Sequence, residues 1–174
     1  MKTLLILRHG KAEPRNFDES DFYRKLATSG RLQAAMTGNV IAAREGTLDL
    51  IYASSAPRAW ETASIVAEKI SYPPENIRTD SELYMPSSLW LRHLLGNIGD
   101  EIKSCILVGH NPGLTELINH FGVRLDHLPT ASVAAFQFKV DSWKEIAAEN
   151  AHFLWMYVPE NNVFSFLYEF YKSL

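Results

Sequence analysis

The stretch Thr3-Leu4-Leu5-Ile6-Leu7-Arg8-His9-Gly10 decides how the rest of this chain is read. Its unbroken apolar run predicts a strand buried on both faces, as in a parallel sheet. The run stops on a guanidinium, an imidazole and a glycine. In open α/β sheets the ligand binds outside the carboxyl ends of the strands. Arg8 and His9 therefore stand where a site is built, and Gly10 lets the backbone turn closely there. That chemistry is an anion clamp beside a nucleophile or base. On this triplet alone, a strand ending in ordinary polar surface residues is the alternative.

Two later runs end in the same way. Leu48 to Ala53 forms a second strand and leads into Ser54-Ser55-Ala56-Pro57-Arg58, with Pro57 placed to open a helix. Ser104 to Val108 is a third, closing on Gly109-His110-Asn111-Pro112-Gly113. Helical patterns lie between them. One runs from about Gly30 to Arg44, capped by Ser29 or Thr28, with Leu32, Ala35, Met36 and Val40 on its buried face. A second follows Pro57 and carries Ala59, Thr62, Ala63, Ile65, Val66 and Ile70. A third starts at Ser87 or Ser88 and carries Leu89, Leu91, Leu94 and Leu95. A fourth holds Leu114, Leu117, Ile118 and Phe121.

Beyond Pro129 the pattern becomes strand-like over Ser132–Val140 and Ala151–Val158, and the aromatic tail Val163–Leu174 suggests a terminal helix. This alternation predicts an α/β three-layer sandwich, a mostly parallel central sheet flanked by helices. One domain spanning 1–174 is expected. Only the loop after Gly10 is long, so no large lid insertion is expected either.

At 174 residues there is enough chain for a sizeable core, and 47% apolar with 21% charged residues is ordinary for a soluble globular protein. A net charge of -3 gives no global basic field, which argues against nucleic acid as a partner. Attraction for an anionic substrate has to come from a local cluster of Arg and His. The single Cys105 excludes an internal disulfide or a multi-Cys metal site, and its apolar run predicts a buried, inert thiol. No apolar stretch approaches the ~20 residues of a membrane span, and Lys2–Leu7 is too short for a signal-peptide core. The expected location is the cytoplasm, with no membrane partner. His93, His120, His127 and His152 show no metal-ligand spacing. Trp60, Trp90, Trp143 and Trp155 are expected in the core, with Trp90 near a pocket mouth.

Arg8-His9, Arg58 and Gly109-His110 together suit phosphoryl transfer. Arginine presents a fixed fork of donors that matches phosphate oxygens. A neutral imidazole can attack phosphorus in line and carry the group covalently. A second imidazole can stabilise charge on the equatorial oxygens, where positioning and electrostatics supply most of the catalysis. Neighbouring guanidinium groups should favour the neutral form of His9.

These blocks resemble the histidine phosphatase, or phosphoglycerate mutase-like, superfamily. Leu7-Arg8-His9-Gly10 is its signature. Ser54-Ser55-Ala56-Pro57-Arg58-Ala59, Glu61-Thr62-Ala63 and Val108-Gly109-His110-Asn111-Pro112-Gly113 extend the match. Arg24-Lys25-Leu26-Ala27-Thr28-Ser29-Gly30 and Leu128-Pro129-Thr130-Ala131-Ser132 look like segments of the small SixA-type branch, with Lys25 where proline is frequent. The resemblance implies that His9 is the phosphorylated nucleophile. It implies that Arg8 and Arg58 grip the phosphoryl oxygens, that His110 completes the pocket, and that Arg24 also reaches phosphate or substrate. No metal or organic cofactor is implied.

Larger members of the superfamily carry a glutamate general acid in a Leu-x-Glu context; here Leu83-Tyr84-Met85 puts methionine at that position. Glu82 lies nearby but precedes the leucine. Without an acid, unactivated alkyl phosphate esters are cleaved poorly because the alkoxide leaving group needs a proton. A phosphoramidate needs one less, since its leaving imidazole nitrogen is protonated from solvent. The expected activity is therefore a metal-independent phosphohistidine phosphatase acting on a phosphorylated protein. Hydrolysis of a small phosphorylated metabolite or a pyrophosphate is the alternative, and a non-catalytic phosphate-binding module is a third class.

Overall fold

The computed structural model describes residues 1–16, 18–159 and 167–168. Its strands are β1 (Lys2–Arg8), β2 (Leu50–Ser54), β3 (Arg78–Asp80), β4 (Ser104–Gly109), β5 (Val133–Phe138), β6 (Ala151–Tyr157) and β7 (Leu167–Tyr168). Four α-helices accompany them among the described residues: α1 (Thr28–Glu45), α2 (Pro57–Lys69), α3 (Ser88–Gly96) and α4 (Gly113–His120). The sheet order is β3-β2-β4-β1-β5-β6-β7. Its β3-β2-β4-β1 half is parallel, and β5, β6 and β7 add on in antiparallel fashion.

β1 is buried on both faces, as its unbroken apolar run requires. Leu5 and Leu7 join Ile41 of α1, Val66 of α2, Ile106 and Val108 in one layer. Leu4 and Ile6 join Leu95 of α3, Leu117 of α4, Leu107 and Phe136 in the other. Successive strand residues point to opposite faces, so one central strand feeds both cores. The four side chains Leu4 to Leu7 are fully buried, each contributing roughly 1.5–3 kcal/mol.

The first helix departs from expectation. α1 begins after Ala27 with no side-chain cap, and its buried residues are Gly30, Gln33, Ala34, Thr37, Gly38 and Ile41. Leu32 and Met36, expected inside, are exposed. The reason is close packing on α2: a Cβ added at Gly38 would lie 2.9 Å from Lys69 Cβ and 3.3 Å from Val66 Cα. The buried face is thus the one with the smallest side chains. Leu89 of α3 is likewise exposed, while Leu91, Leu94 and Leu95 are buried. Trp143 and Trp155 lie in the core as expected, whereas Trp60 is about half exposed at 49%. The terminal helix expected over 163–174 falls outside the described residues, apart from Leu167–Tyr168, which pair with β6 as a strand. No helix among the described residues is long and apolar enough to cross a membrane.

Candidate active site

Strand register assembles the site. β1 and β4 run parallel with Arg8 opposite Gly109, so the next residue on each chain segment is a histidine. Neighbouring strands are about 4.8 Å apart, and the His9 and His110 ring centroids are 4.8 Å apart. On the far side of β4, β2 pairs Ala53 with Val108. That carries Ser54 alongside Gly109, and its hydroxyl lies 2.9 Å from His110 Nε2. Pro57 opens α2 directly after β2, and its first turn delivers Arg58, 4% exposed, to the same spot.

Gly10 allows the turn after His9. A Cβ there would stand 2.5 Å from the Gly30 carbonyl oxygen, so the start of α1 and the end of β1 touch backbone to backbone. The Gly10 N–H donates to Thr62 Oγ1 of α2 at 3.0 Å. His9 Nδ1 lies 2.7 Å from the Gly10 carbonyl oxygen. A carbonyl only accepts, so Nδ1 carries the proton and Nε2 keeps its lone pair. Arg58 Nε donates toward that lone pair at 3.4 Å.

Electrostatics keep both imidazoles neutral. Burial lowers the His9 pKa to about 4, with Arg58, Arg8 and Arg24 pushing the same way and the Gly10 hydrogen bond opposing. Guanidinium repulsion therefore assists, but desolvation leads. Burial also lowers His110, to about 2, helped by His9, Arg58 and Arg8.

His9, Arg8, Arg58, His110 and Arg24 all line one open cleft of about 340 Å³, with Lys11, Asn111 and Thr130 also in its wall. All five residues singled out from the sequence thus converge. Arg8 is held by the late segment: its Nη1 donates to the Leu128 carbonyl at 2.7 Å. Asn111 Nδ2 donates to the same carbonyl at 2.9 Å, which braces the cleft floor. Arg24 is partly committed, donating through Nε and Nη2 to the Glu13 carbonyl and through Nη1 to Asp21.

Glu82 does not join them. It lines a separate cleft with Tyr52, Arg78, Asp80, Trp90 and His93, so Trp90 does not line the cleft of His9 and His110. Met85 does line the histidine cleft, with its backbone in the left-handed region at φ 57°. Among the described lining residues, Asp21 is the carboxylate of this cleft. Its hydrogen bond from Arg24, with that from Tyr84 and the charge of Arg58, lowers its pKa to about 2. Asp21 and Tyr84 carried no signal in the sequence, since both lie in irregular segments. No group of three or more His, Cys, Asp or Glu able to hold a metal ion occurs among the described residues.

Comparison with known proteins fits this geometry. Residues 4–84 match the family model of the histidine phosphatase superfamily (branch 1). The structure of SixA from Agrobacterium tumefaciens superposes with a TM-score of 0.75 at 23% identity, covering 91% of this chain and 99% of that one. The protein histidine phosphatase SixA complexed with tungstate gives a TM-score of 0.70 at 20% identity, over 88% and 95% of the two chains. The mitochondrial serine/threonine-protein phosphatase Pgam5 of Drosophila ananassae is 35% identical over 74 residues, 42% of this chain. That chain is much longer: the matched part spans 25% of it. Residues 4–84 are thus similar to the histidine phosphatase superfamily (branch 1), and the chain shares its fold with the SixA structures over about nine tenths of its length.

Proposed function

We propose that this chain is a metal-independent phosphohistidine phosphatase, with a single domain, residues 1–174, carrying the whole reaction. One observation supports the choice of substrate above the others: the cleft pairs a neutral nucleophile with a carboxylate that cannot supply a proton. Asp21, held near pKa 2 by Arg24, Tyr84 and Arg58, stays ionised throughout the neutral range. An alkoxide leaving group would depart unprotonated there. An imidazole leaving group takes its proton from water.

His9 Nε2 attacks the phosphorus of a phosphohistidine on a partner protein. The new Nε2–P bond forms as the substrate P–N bond breaks, and the electron pair stays on the leaving imidazole. Arg8 and Arg58, with Arg24 and Lys11 nearby, balance the charge on the phosphoryl oxygens. Water then attacks phosphorus, the Nε2–P bond breaks with its electron pair returning to Nε2, and the two protons of the water leave on the departing phosphate, which passes one on to solvent. A small phosphorylated metabolite is the second reading, for which a cleft of about 340 Å³ has room. A panel of a phosphohistidine carrier protein, alkyl phosphates and pyrophosphate separates the two. Our reading expects kcat/KM highest on the carrier, and faster turnover of an alkyl phosphate would overturn it.

A further inference from the structure

We propose that Asp21 is the positioning residue of this cleft: it fixes Arg58 so that its Nε–H faces the attacking nitrogen of His9. The turnover part of this inference rests on the function proposed above; its geometric part does not.

Asp21 opens a 3-10 turn, Asp21–Tyr23, within the long loop after Gly10. It meets Arg58 in two ways. Its backbone carbonyl accepts from Arg58 Nη1 at 2.7 Å, with the Phe22 carbonyl beside it at 3.3 Å. Its carboxylate accepts from Arg58 Nη2 at 2.9 Å. A guanidinium is planar, so fixing both terminal nitrogens also fixes the direction of Nε. That direction is toward His9 Nε2, 3.4 Å away.

The donor count makes the arrangement productive. Of the five N–H groups, two on Nη1 and one on Nη2 go to Asp21 and Phe22. The Nε–H, which faces His9 Nε2 at 3.4 Å, and one Nη2–H lie on the same edge of the fork. An incoming phosphoryl oxygen can take both, next to the nitrogen that attacks it. Asp21 itself touches none of the reacting atoms, which is why it positions rather than catalyses.

The same carboxylate ties the two sides of the cleft together. It accepts from Arg24 Nη1 at 2.7 Å and from the Tyr84 hydroxyl at 2.9 Å. Tyr84 stands edge-on to His110, with centroids 5.1 Å apart, and lies under the Arg58 guanidinium at 5.6 Å. One partly buried turn thereby orients Arg58, Arg24 and Tyr84 together. A residue buried for stability alone would not need so polar a set of partners at a cleft wall.

The test uses the full chain and two variants, Asp21→Ala and Asp21→Asn. The first readout is the Arg58 Nε–H signal in ¹H–¹⁵N spectra, which needs no substrate. It should be protected from exchange in the wild type, lost in Asp21→Ala, and partly kept in Asp21→Asn, which retains an oxygen acceptor. The second is turnover of a phosphohistidine carrier: kcat should fall about 10²-fold in Asp21→Ala with KM little changed, because a misaimed group costs rate before binding. An unchanged Arg58 signal in Asp21→Ala overturns the proposal whatever happens to kcat. So does a signal that is lost while kcat stays at the wild-type value. If the wild type fails to turn over any phosphohistidine, the proposed function falls, and the Arg58 signal still decides the role of Asp21.

Discussion

Ser54 and His110 are joined by a contact of 2.9 Å between the hydroxyl and Nε2, while His110 Nδ1 is buried without a partner. The Ser54 oxygen already accepts from the Ala56 N–H at 3.2 Å. In our account its proton goes to Nε2, which puts the ring proton of neutral His110 on Nδ1, ready for a phosphoryl oxygen. Ser54→Ala removes that control and should lower kcat by about fivefold, since one neutral hydrogen bond is worth about 1 kcal/mol. The same variant should also melt lower, because it leaves the buried Ala56 N–H without its acceptor, at a cost of about 1–3 kcal/mol. Steady-state kinetics and a thermal melt check both, and an unchanged kcat would count against a directing role for Ser54.

Acidification has a worked sign. An unfolded histidine titrates near ~6.5, whereas burial holds His9 at about 4 and His110 lower still. Folded-state pKa values below the unfolded value mean the unfolded chain gains protons first as pH drops. Stability contributed by the two neutral rings is complete above about pH 6.5 and drains away down toward pH 4 for His9 and further down for His110, on the order of 3 kcal/mol for His9 alone. Turnover measured as kcat/KM should, however, hold nearly level between about pH 5 and 7, because His9 keeps its lone pair there. Denaturant midpoints and a pH profile with a chromogenic phosphate read the two effects separately. An acid limb centred near 6.5 would contradict the buried, neutral His9.

Two glycines carry a tight backbone crossing. A Cβ at Gly10 would lie 2.5 Å from the Gly30 carbonyl oxygen, and one at Gly30 would lie 2.1 Å from the Lys11 carbonyl oxygen. Neither neighbour is a flexible side chain, so the backbone itself must move. Gly10→Ala and Gly30→Ala should each cost about 1–3 kcal/mol in a denaturation curve. They should also lower kcat, because the same crossing sets the turn that follows His9.

Met85 lines the cleft where larger relatives are expected to carry an acid. Met85→Glu should therefore raise turnover of an alkyl phosphate by a factor on the order of 10², and change that of a phosphohistidine little. Activity toward the two substrates, measured side by side, reports this as a ratio. A ratio that does not move would mean that the Met85 position does not address the leaving group.

What could be read from the sequence follows from how each residue is held. Arg8, His9, Arg58 and His110 each stand at or just after the end of an apolar strand or at the start of the helix that follows, so periodicity places them at the carboxyl ends of the strands. The register of β1 against β4 then brings them within contact. Arg24 was readable only through resemblance, because its loop has no periodic pattern. Asp21 and Tyr84 escaped entirely: each matters through hydrogen bonds between segments distant in sequence, and neither Asp-Phe-Tyr nor Leu-Tyr-Met marks a partner. Ser54 could be taken for an ordinary turn residue until the β2–β4 register placed it beside His110. The buried face of α1 departs from its apolar pattern for a different reason. Burial there is set by how closely two backbones approach at Gly38, which favours small side chains over Leu32 and Met36.

The central claim is that His9 carries the phosphoryl group. Incubating the protein with a ³²P-labelled phosphohistidine carrier, quenching in alkali and mapping the labelled peptide tests it most directly. The account predicts a label that is stable to alkali and labile to acid, located on the peptide containing His9 and absent from His9→Ala, which is also inactive. Label on another residue, or turnover that persists in His9→Ala, would contradict it.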